Sequence, residues 1–332
     1  MTDDEGRNGG AEAGSAFTDI HYHFVPPEVR RFAEAGAPGN PAWRIFKGLL
    51  DAFPDLGRPL ADRELATASG RAVVSLPTAL GPGIAGIGSS AELIRASNDA
   101  LIAAVADEDA YESAMIILPW DDPQAALAEL DRVGDDPAVS DVIFHVGLQQ
   151  ARLADEPDLE PVYREIAARG LPLFLHPLQE TPLPALARWF LFSTIGAPTA
   201  TSIAAAQLML SGMLDRVPDL TLIIPHLGGT LPFLAQRIVD QSGTGDAQHD
   251  VLHYLRTRTY LDTCSFHPPA LECALDTVGA DRILLGSDFP FRGPVRRASD
   301  EVESELAVDG AERVLTGNLT RLRDASGLVR QR

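Results

Sequence analysis

The sequence predicts an α/β fold, a (β/α)8 TIM barrel with long loops after strands 1 and 5. Three observations carry that expectation. Eight short β-rich runs recur along the chain, and most are continuously apolar in their middles, as in Val73-Val74, Met115-Ile116-Ile117-Leu118, Leu222-Ile223-Ile224 and Ile283-Leu284-Leu285. Such runs suit strands buried on both faces, as in a parallel sheet covered by helices. Helical patterns lie between them, and eight strand–helix units close most simply into a barrel. A doubly wound open sheet is the main rival. No Gly-x-Gly-x-x-Gly follows the first strand, so a dinucleotide crevice has no support.

In chain order, residues 1–16 are Gly-, Ala- and acid-rich without periodicity and read as a disordered tail; 17–332 read as one domain. The strands are expected at 17–24, 71–76, 113–118, 141–146, 171–176, 220–226, 259–264 and 282–288. The helix expected over 89–106 carries Leu93, Ile94, Leu101, Ile102 and Val105 on one stripe, with Ser89 and Glu92 as a capping box. Asp122-Pro123 opens the next helix, and Gly170 stops the helix over 157–169. Helical patterns follow at 202–217, 231–241 and 269–278, and a closing helix at 311–325. The connections 26–70 and 177–219 are longer than a barrel needs, and long loops at this face shape or cover a substrate pocket.

Composition removes several function classes. The 332 residues are 45% apolar and 22% charged, with a net charge of −20 and no basic run, so nucleic acid would be repelled. No apolar run approaches the roughly 18 residues of a membrane span. The acidic start lacks an export signal, and two cysteines make no disulfide framework; the expected location is the cytoplasm.

In a barrel of this kind the chemistry sits at the C-terminal ends of the strands. Those ends offer His21 and His23 on strand 1, His176 on strand 5, His226 on strand 6 and Asp288 on strand 8. In an extended strand His21 and His23 share a side, with Ile20 and Tyr22 turned away. An apolar run that ends in histidine places a polar group where packing alone would prefer Val or Leu. Each such histidine read singly is a satisfied core residue; together, on one rim, they form a ligand set. Imidazoles with one carboxylate suit Zn²⁺, with Mn²⁺, Fe²⁺ or Co²⁺ as alternatives. Lys47 is the sole lysine and lies in the first long loop, so a second ion bridged by a lysine carbamate is not expected and one metal is.

The segments Asp19-Ile-His-Tyr-His-Phe-Val-Pro, Leu175-His176-Pro177, Ser211-Gly-Met-Leu-Asp-Arg-Val-Pro-Asp-Leu220, Pro225-His-Leu-Gly-Gly-Thr-Leu-Pro232 and Gly279-Ala-Asp-Arg-Ile-Leu-Leu-Gly-Ser-Asp-Phe-Pro290 resemble the amidohydrolase superfamily. The resemblance is to the group containing α-amino-β-carboxymuconate-ε-semialdehyde and γ-resorcylate decarboxylases. It implies that His21, His23, His176 and Asp288 hold the metal, that His226 moves protons, and that the protein is a homodimer. The His-x-His motif is closer to the aminocarboxymuconate-semialdehyde type. Phe291-Arg292-Gly293-Pro294 departs from the Pro-Leu-Gly-Glu that often follows in that type.

Two reactions fit this set. One is a cofactor-independent decarboxylation of an unsaturated or aromatic carboxylic acid, with His226 and Asp288 catalytic. The alternative is hydrolysis of a lactone or amide at the same ion. A barrel without chemistry, serving as a binding protein, is the reading from a different class. Arg58, Arg188, Arg292, Trp189 and His267 are candidate substrate contacts, because they lie in or beside rim loops; each has a surface or packing role as its alternative. Phe190 and Phe192 could wall a pocket, His145 reads as core, and His249 and His253 as solvent-facing.

Overall fold

The architecture follows from pairing alone. In a computed structural model, which describes residues 16–36, 41–63, 65, 70–77, 90–106, 108–149, 153–178 and 183–327, eight parallel strands pair in sequence order. They are β1 Phe17–His23, β2 Gly70–Ser75, β3 Tyr111–Ile117, β4 Val139–Val146, β5 Leu173–Pro177, β6 Leu222–Ile224, β7 Thr259–Asp262 and β8 Ile283–Leu284. The amides of Ile20 and His23 donate to Leu285 and Phe289 carbonyls (2.9 Å each), and the Asp288 amide donates to the His21 carbonyl (2.8 Å). These bonds carry β8 back to β1, and the sheet is a (β/α)8 barrel. The expected tail lies almost wholly outside the described residues, as does Ser89 of the proposed capping box.

Two layers fill the barrel. Ile20, Val73, Met115, Ile143, Phe174, Ile223, Tyr260 and Leu284, one from each strand, form a buried cluster that Leu319 and Leu322 of the helix Asn318–Ala325 complete. Two residues further along β2, β4, β5 and β7, side chains again point inward. There Ser75, His145, His176 and Asp262 occur, all buried and all polar. An apolar plug thus supports a polar floor.

Strand β1 departs from simple alternation. Asp19 pairs with Ala72 and Tyr22 with Val74, so Ile20 and His21 together oppose Val73. This bulge reverses the parity of the strand. Ile20 can then enter the apolar layer while both histidines still turn inward above it, which corrects the expectation that Ile20 faces away. Asp19 pins the bulge: its Oδ1 accepts from the amides of His21 (2.9 Å) and Ser287 (3.0 Å), and its Oδ2 from Ser287 Oγ (2.5 Å). Burial raises its pKa to about 6 against the pull of these bonds.

The first long connection folds into helices Pro27–Gly36 and Pro41–Ala52 and two short 3-10 turns. Buried Arg63 ties it to the barrel, donating to the carbonyls of Arg58 (3.0 Å), His23 (2.9 Å), Asp55 (2.5 Å) and Leu56 (3.0 Å), with its guanidinium 4.9 Å from the Phe24 ring centroid. A buried guanidinium is tolerated because carbonyl oxygens satisfy it. In the second connection the helix begins at Ala197, earlier than its apolar pattern suggests, and ends before Gly212, whose φ is 71°. Elsewhere Asp122 caps its helix through the amides of Gln124 and Ala125, and Gly170 (φ 67°) follows the end of its own. The closing helix is split, Val308–Glu312 and Asn318–Ala325 being joined by a wide turn, Arg313–Gly317. No helix among the described residues is long and apolar enough to cross a membrane.

His145 is the unsatisfied member of the polar floor. It is 4% exposed, neither ring nitrogen has a hydrogen-bond partner among the described residues, and burial, with His23 nearby, lowers its pKa to about 3. Its ring therefore stays neutral in the folded protein, whereas an unfolded histidine titrates near 6.5. Between those values the unfolded chain binds the extra proton, so this residue destabilises the fold as pH falls below about 6.5. His145→Leu is expected to reduce the stability lost between pH 7 and pH 5 by about 2 kcal/mol. Urea unfolding at the two pH values measures it, and an unchanged difference would contradict the buried, neutral assignment.

Candidate active site

Above the polar floor, four buried side chains converge. His21 Nε2 lies 3.1 Å from His176 Nε2 and 3.4 Å from Asp288 Oδ1, and His23 Nε2 lies 3.1 Å from the same oxygen. The four ligand atoms lie within 4.8 Å of one another. The outer partners of the rings decide what points inward. His21 Nδ1 faces Asp262 Oδ2 at 2.6 Å, and His176 Nδ1 faces the Pro177 carbonyl at 3.0 Å. Both partners only accept, so each Nδ1 carries the proton and each neutral ring aims an Nε2 lone pair at the centre. Ser75 Oγ donates to the Tyr22 carbonyl (3.2 Å) and so accepts from His23 Nδ1 (2.9 Å), which sets the third ring the same way.

Three lone pairs and a carboxylate aimed at one point repel each other unless a positive charge lies between them. An ion with bonds of about 2.0–2.1 Å spaces its ligands by about 3.0 Å at right angles and about 3.4 Å in a tetrahedron. The observed separations match, and the donor set fits a divalent metal. The charges around these groups make the same demand. Burial lowers the His21 pKa, but Asp262 and Asp288 outweigh it and the net shift is upward. Burial would raise Asp288, but His21, His226 and His23 hold it well below the usual carboxylate range. Burial pushes His176 well down, and the neighbouring His23 and His21 push it further.

His226 and Asp288 sit just past the paired ends of β6 and β8, and both adopt left-handed backbone, with φ of 57° and 56°. Such conformations cost a non-glycine residue about 1–3 kcal/mol each and persist only where the surroundings hold them. The amide of His226 donates to Asp262 Oδ1 (2.7 Å), and that of Asp288 to the His21 carbonyl. His226 Nε2 then lies 3.8 Å from Asp288 Oδ2, and the ring reaches a cavity of about 370 Å³. Arg292 lines the same cavity, its Nε 3.6 Å from Asp288 Oδ2. Thr194, Ile195 and Thr199 also line it, so the second long connection does shape the pocket.

Of the remaining candidates the structure brings none to the described cavity wall. Arg58 is paired with Asp55 at 2.8 Å on a half-exposed surface. Arg188 stacks over Trp189 (4.3 Å to the ring centroid), and Trp189 and Phe190 point to solvent, 73% and 83% exposed, because the backbone turns left-handed at both. His267 is exposed and occupies the N-cap position of the helix Pro268–Val278 without a side-chain cap bond. Phe192 is buried, and His249 stacks on His253 (3.9 Å between centroids), away from the four converging groups.

Sequence reasoning missed Asp262. One oxygen orients His21, while the other holds the amides of His226 and Cys264 (3.0 Å). Gly286 exists beside it because a Cβ there would lie 2.8 Å from Asp262 Cβ. The signal was available: Thr259-Tyr-Leu-Asp262 is a buried strand that ends in a polar residue, as the histidine strands do. Loss of such an orienting partner weakens metal binding by about 10- to 100-fold. Asp262→Asn is expected to do so in a chelator competition, and undiminished retention would remove this role.

Comparison with known proteins agrees with this geometry. Over 316 residues, 90% of this chain and 94% of the relative, the sequence is 28% identical to a gamma-resorcylate decarboxylase of a Rhizobium species. It is 26% identical over 282 residues, 82% of this chain and 84% of the relative, to a 6-methylsalicylic acid decarboxylase of Penicillium expansum. The solved structure of a 2,6-dihydroxybenzoate decarboxylase complexed with 2,6-dihydroxybenzoate superposes with a TM-score of 0.77 at 26% identity, covering 93% of this chain and 99% of the other. A family model, Amidohydrolase, matches residues 18–322. With a barrel, a convergent ligand set and a match across nearly its whole length, this chain belongs to the amidohydrolase family.

Proposed function

We propose that this enzyme is a divalent-metal-dependent decarboxylase of a small aromatic carboxylic acid, needing no organic cofactor. The observation that carries the reading is the set of three inward Nε2 lone pairs and Asp288 Oδ1 beside a cavity that also presents a histidine and an arginine. The decarboxylases among its relatives support this reaction over hydrolysis. His21, His23, His176 and Asp288 hold the ion, and three imidazoles with one carboxylate favour zinc, with manganese, iron and cobalt within the same preferences. The ion supplies a Lewis acid that fixes and polarises the substrate's oxygens.

The protein's own groups do the rest. Arg292 orients the anionic substrate. His226, in its protonated form, delivers a proton to the carbon that bears the carboxylate. The bond to the carboxyl carbon then breaks, CO₂ leaves, and the electron pair restores the ring; solvent reprotonates His226. A ring hydroxyl beside the carboxylate makes that carbon basic enough to accept the proton. Hydroxybenzoates and related lactones supplied to metal-replete enzyme test the reading by CO₂ release against acid production. CO₂ with the neutral arene, hydrogen replacing the carboxylate, is expected; acid production without CO₂ would overturn it. Metal analysis of protein purified without added ions identifies the metal. Arg292→Met is expected to raise KM by about 10- to 100-fold, with kcat less affected. An unchanged KM would move substrate orientation elsewhere.

A further inference from the structure

We infer that a second, soft divalent cation binds beside the resident metal site, held by Cys264 and His226, and that its binding inhibits the enzyme. A ring nitrogen of His21, a ring nitrogen of His226 and the thiol of Cys264 lie within 4.8 Å of one another. His21 is already committed, since Nδ1 donates to Asp262 and Nε2 belongs to the first cluster. His226 and Cys264 are left to share an ion.

Asp288 Oδ2 lies 3.8 Å from His226 Nε2 and 3.6 Å from Arg292 Nε, so that edge of the ring faces the carboxylate and Nδ1 is on the other. His226 adds an independent sign of a missing partner. Its side chain is only 10% exposed, and its buried Nδ1 has no hydrogen-bond partner among the described residues. Cys264 is 2% exposed and lines the same cavity as His226, so an ion in the cavity reaches both. A thiol is mostly protonated at neutral pH, and it binds a cation as the thiolate. The sulfur lone pair forms the bond to the ion, the S–H bond breaks, and the proton leaves to solvent. No oxidant is needed.

Sulfur selects the cation. Thiolate ligands favour Zn²⁺ and Cd²⁺ over Mn²⁺ or Mg²⁺, so this position is selective for soft ions. An ion there occupies the ring that moves the proton and fills the cavity beside Arg292. The inhibition rests on the decarboxylase reading, whereas binding does not.

The test uses enzyme carrying its resident metal, titrated with Cd²⁺ and followed by the ultraviolet thiolate-to-cadmium charge-transfer band. The band is expected to saturate at one added equivalent, with turnover lost over the same range, while Mn²⁺ at equal concentration produces neither. Cys264→Ser and Cys264→Ala, with retained resident metal as the check on folding, are expected to lose the band. In them the inhibitory Cd²⁺ midpoint should rise on the order of tenfold or more. Cys273→Ser, on the outer helix Pro268–Val278, should behave as the unaltered protein. No band in the unaltered protein, a band that survives in both Cys264 variants, or equal inhibition midpoints would overturn the second site. Failure of CO₂ release with an intact band would instead overturn the reaction.

Discussion

His226→Asn is expected to lower turnover by orders of magnitude while leaving the resident metal in place. Asparagine is chosen because it tolerates the left-handed backbone (φ 57°) that His226 adopts, so the turn after β6 survives the change. The ring is not among the four groups that converge on the ion position. Its removal should leave metal stoichiometry unchanged in elemental analysis. What disappears is the titratable group that faces the cavity, with Nε2 3.8 Å from Asp288 Oδ2. A positioned general acid contributes about 10²- to 10⁴-fold, and kcat should fall by that amount. Turnover near the original rate would show that the proton comes from elsewhere, and loss of the metal would make His226 a ligand.

His176→Ala acts on the other half of the machinery. His176 supplies one of four ligand atoms, and its ring is oriented by the adjacent Pro177 carbonyl (3.0 Å). Truncation leaves two imidazoles and one carboxylate, one donor atom fewer than the four that converge on the ion position. Metal content after dialysis is expected to fall from one per chain towards zero. Lewis-acid stabilisation is worth several kcal/mol, so turnover should drop by at least about 10²-fold. Full metal content in this variant would break the proposed ligand set. The pair of experiments separates the roles, because only one variant keeps its metal.

Much of this site is written in one dimension. Leu171-Pro-Leu-Phe-Leu-His176 and Leu222-Ile-Ile-Pro-His226 announce their polar ends, because a buried strand has no packing reason to finish in histidine. The first long connection reads on the sequence only as a loop that shapes or covers the pocket; that its described residues are tied through Arg63 to the end of β1 is an anchoring that composition does not reveal. Arg58, Arg188 and Arg292 are equivalent on the sequence, each in or beside a rim loop. Only the fold distinguishes them: one is paired with Asp55, one lies over an exposed tryptophan, and one faces the cavity.

The sequence by itself determined the barrel, the eight strand positions to within a few residues, and five polar groups on a common rim. These depend on periodicity and on where an apolar run stops, both local properties. Tertiary structure alone decided how His21 and His23 come to face inward together with Ile20, since the β1 bulge is pinned by Asp19 and Ser287, 268 residues apart. It also decided that Asp262 sets the proton on His21, that His226 and Asp288 hold left-handed backbone, and that Cys264 lies within reach of both histidines. The physical reason is the same in each case. A hydrogen bond or ligand contact between distant segments depends on ring closure and strand register to within an ångström or so, and no local pattern carries that information.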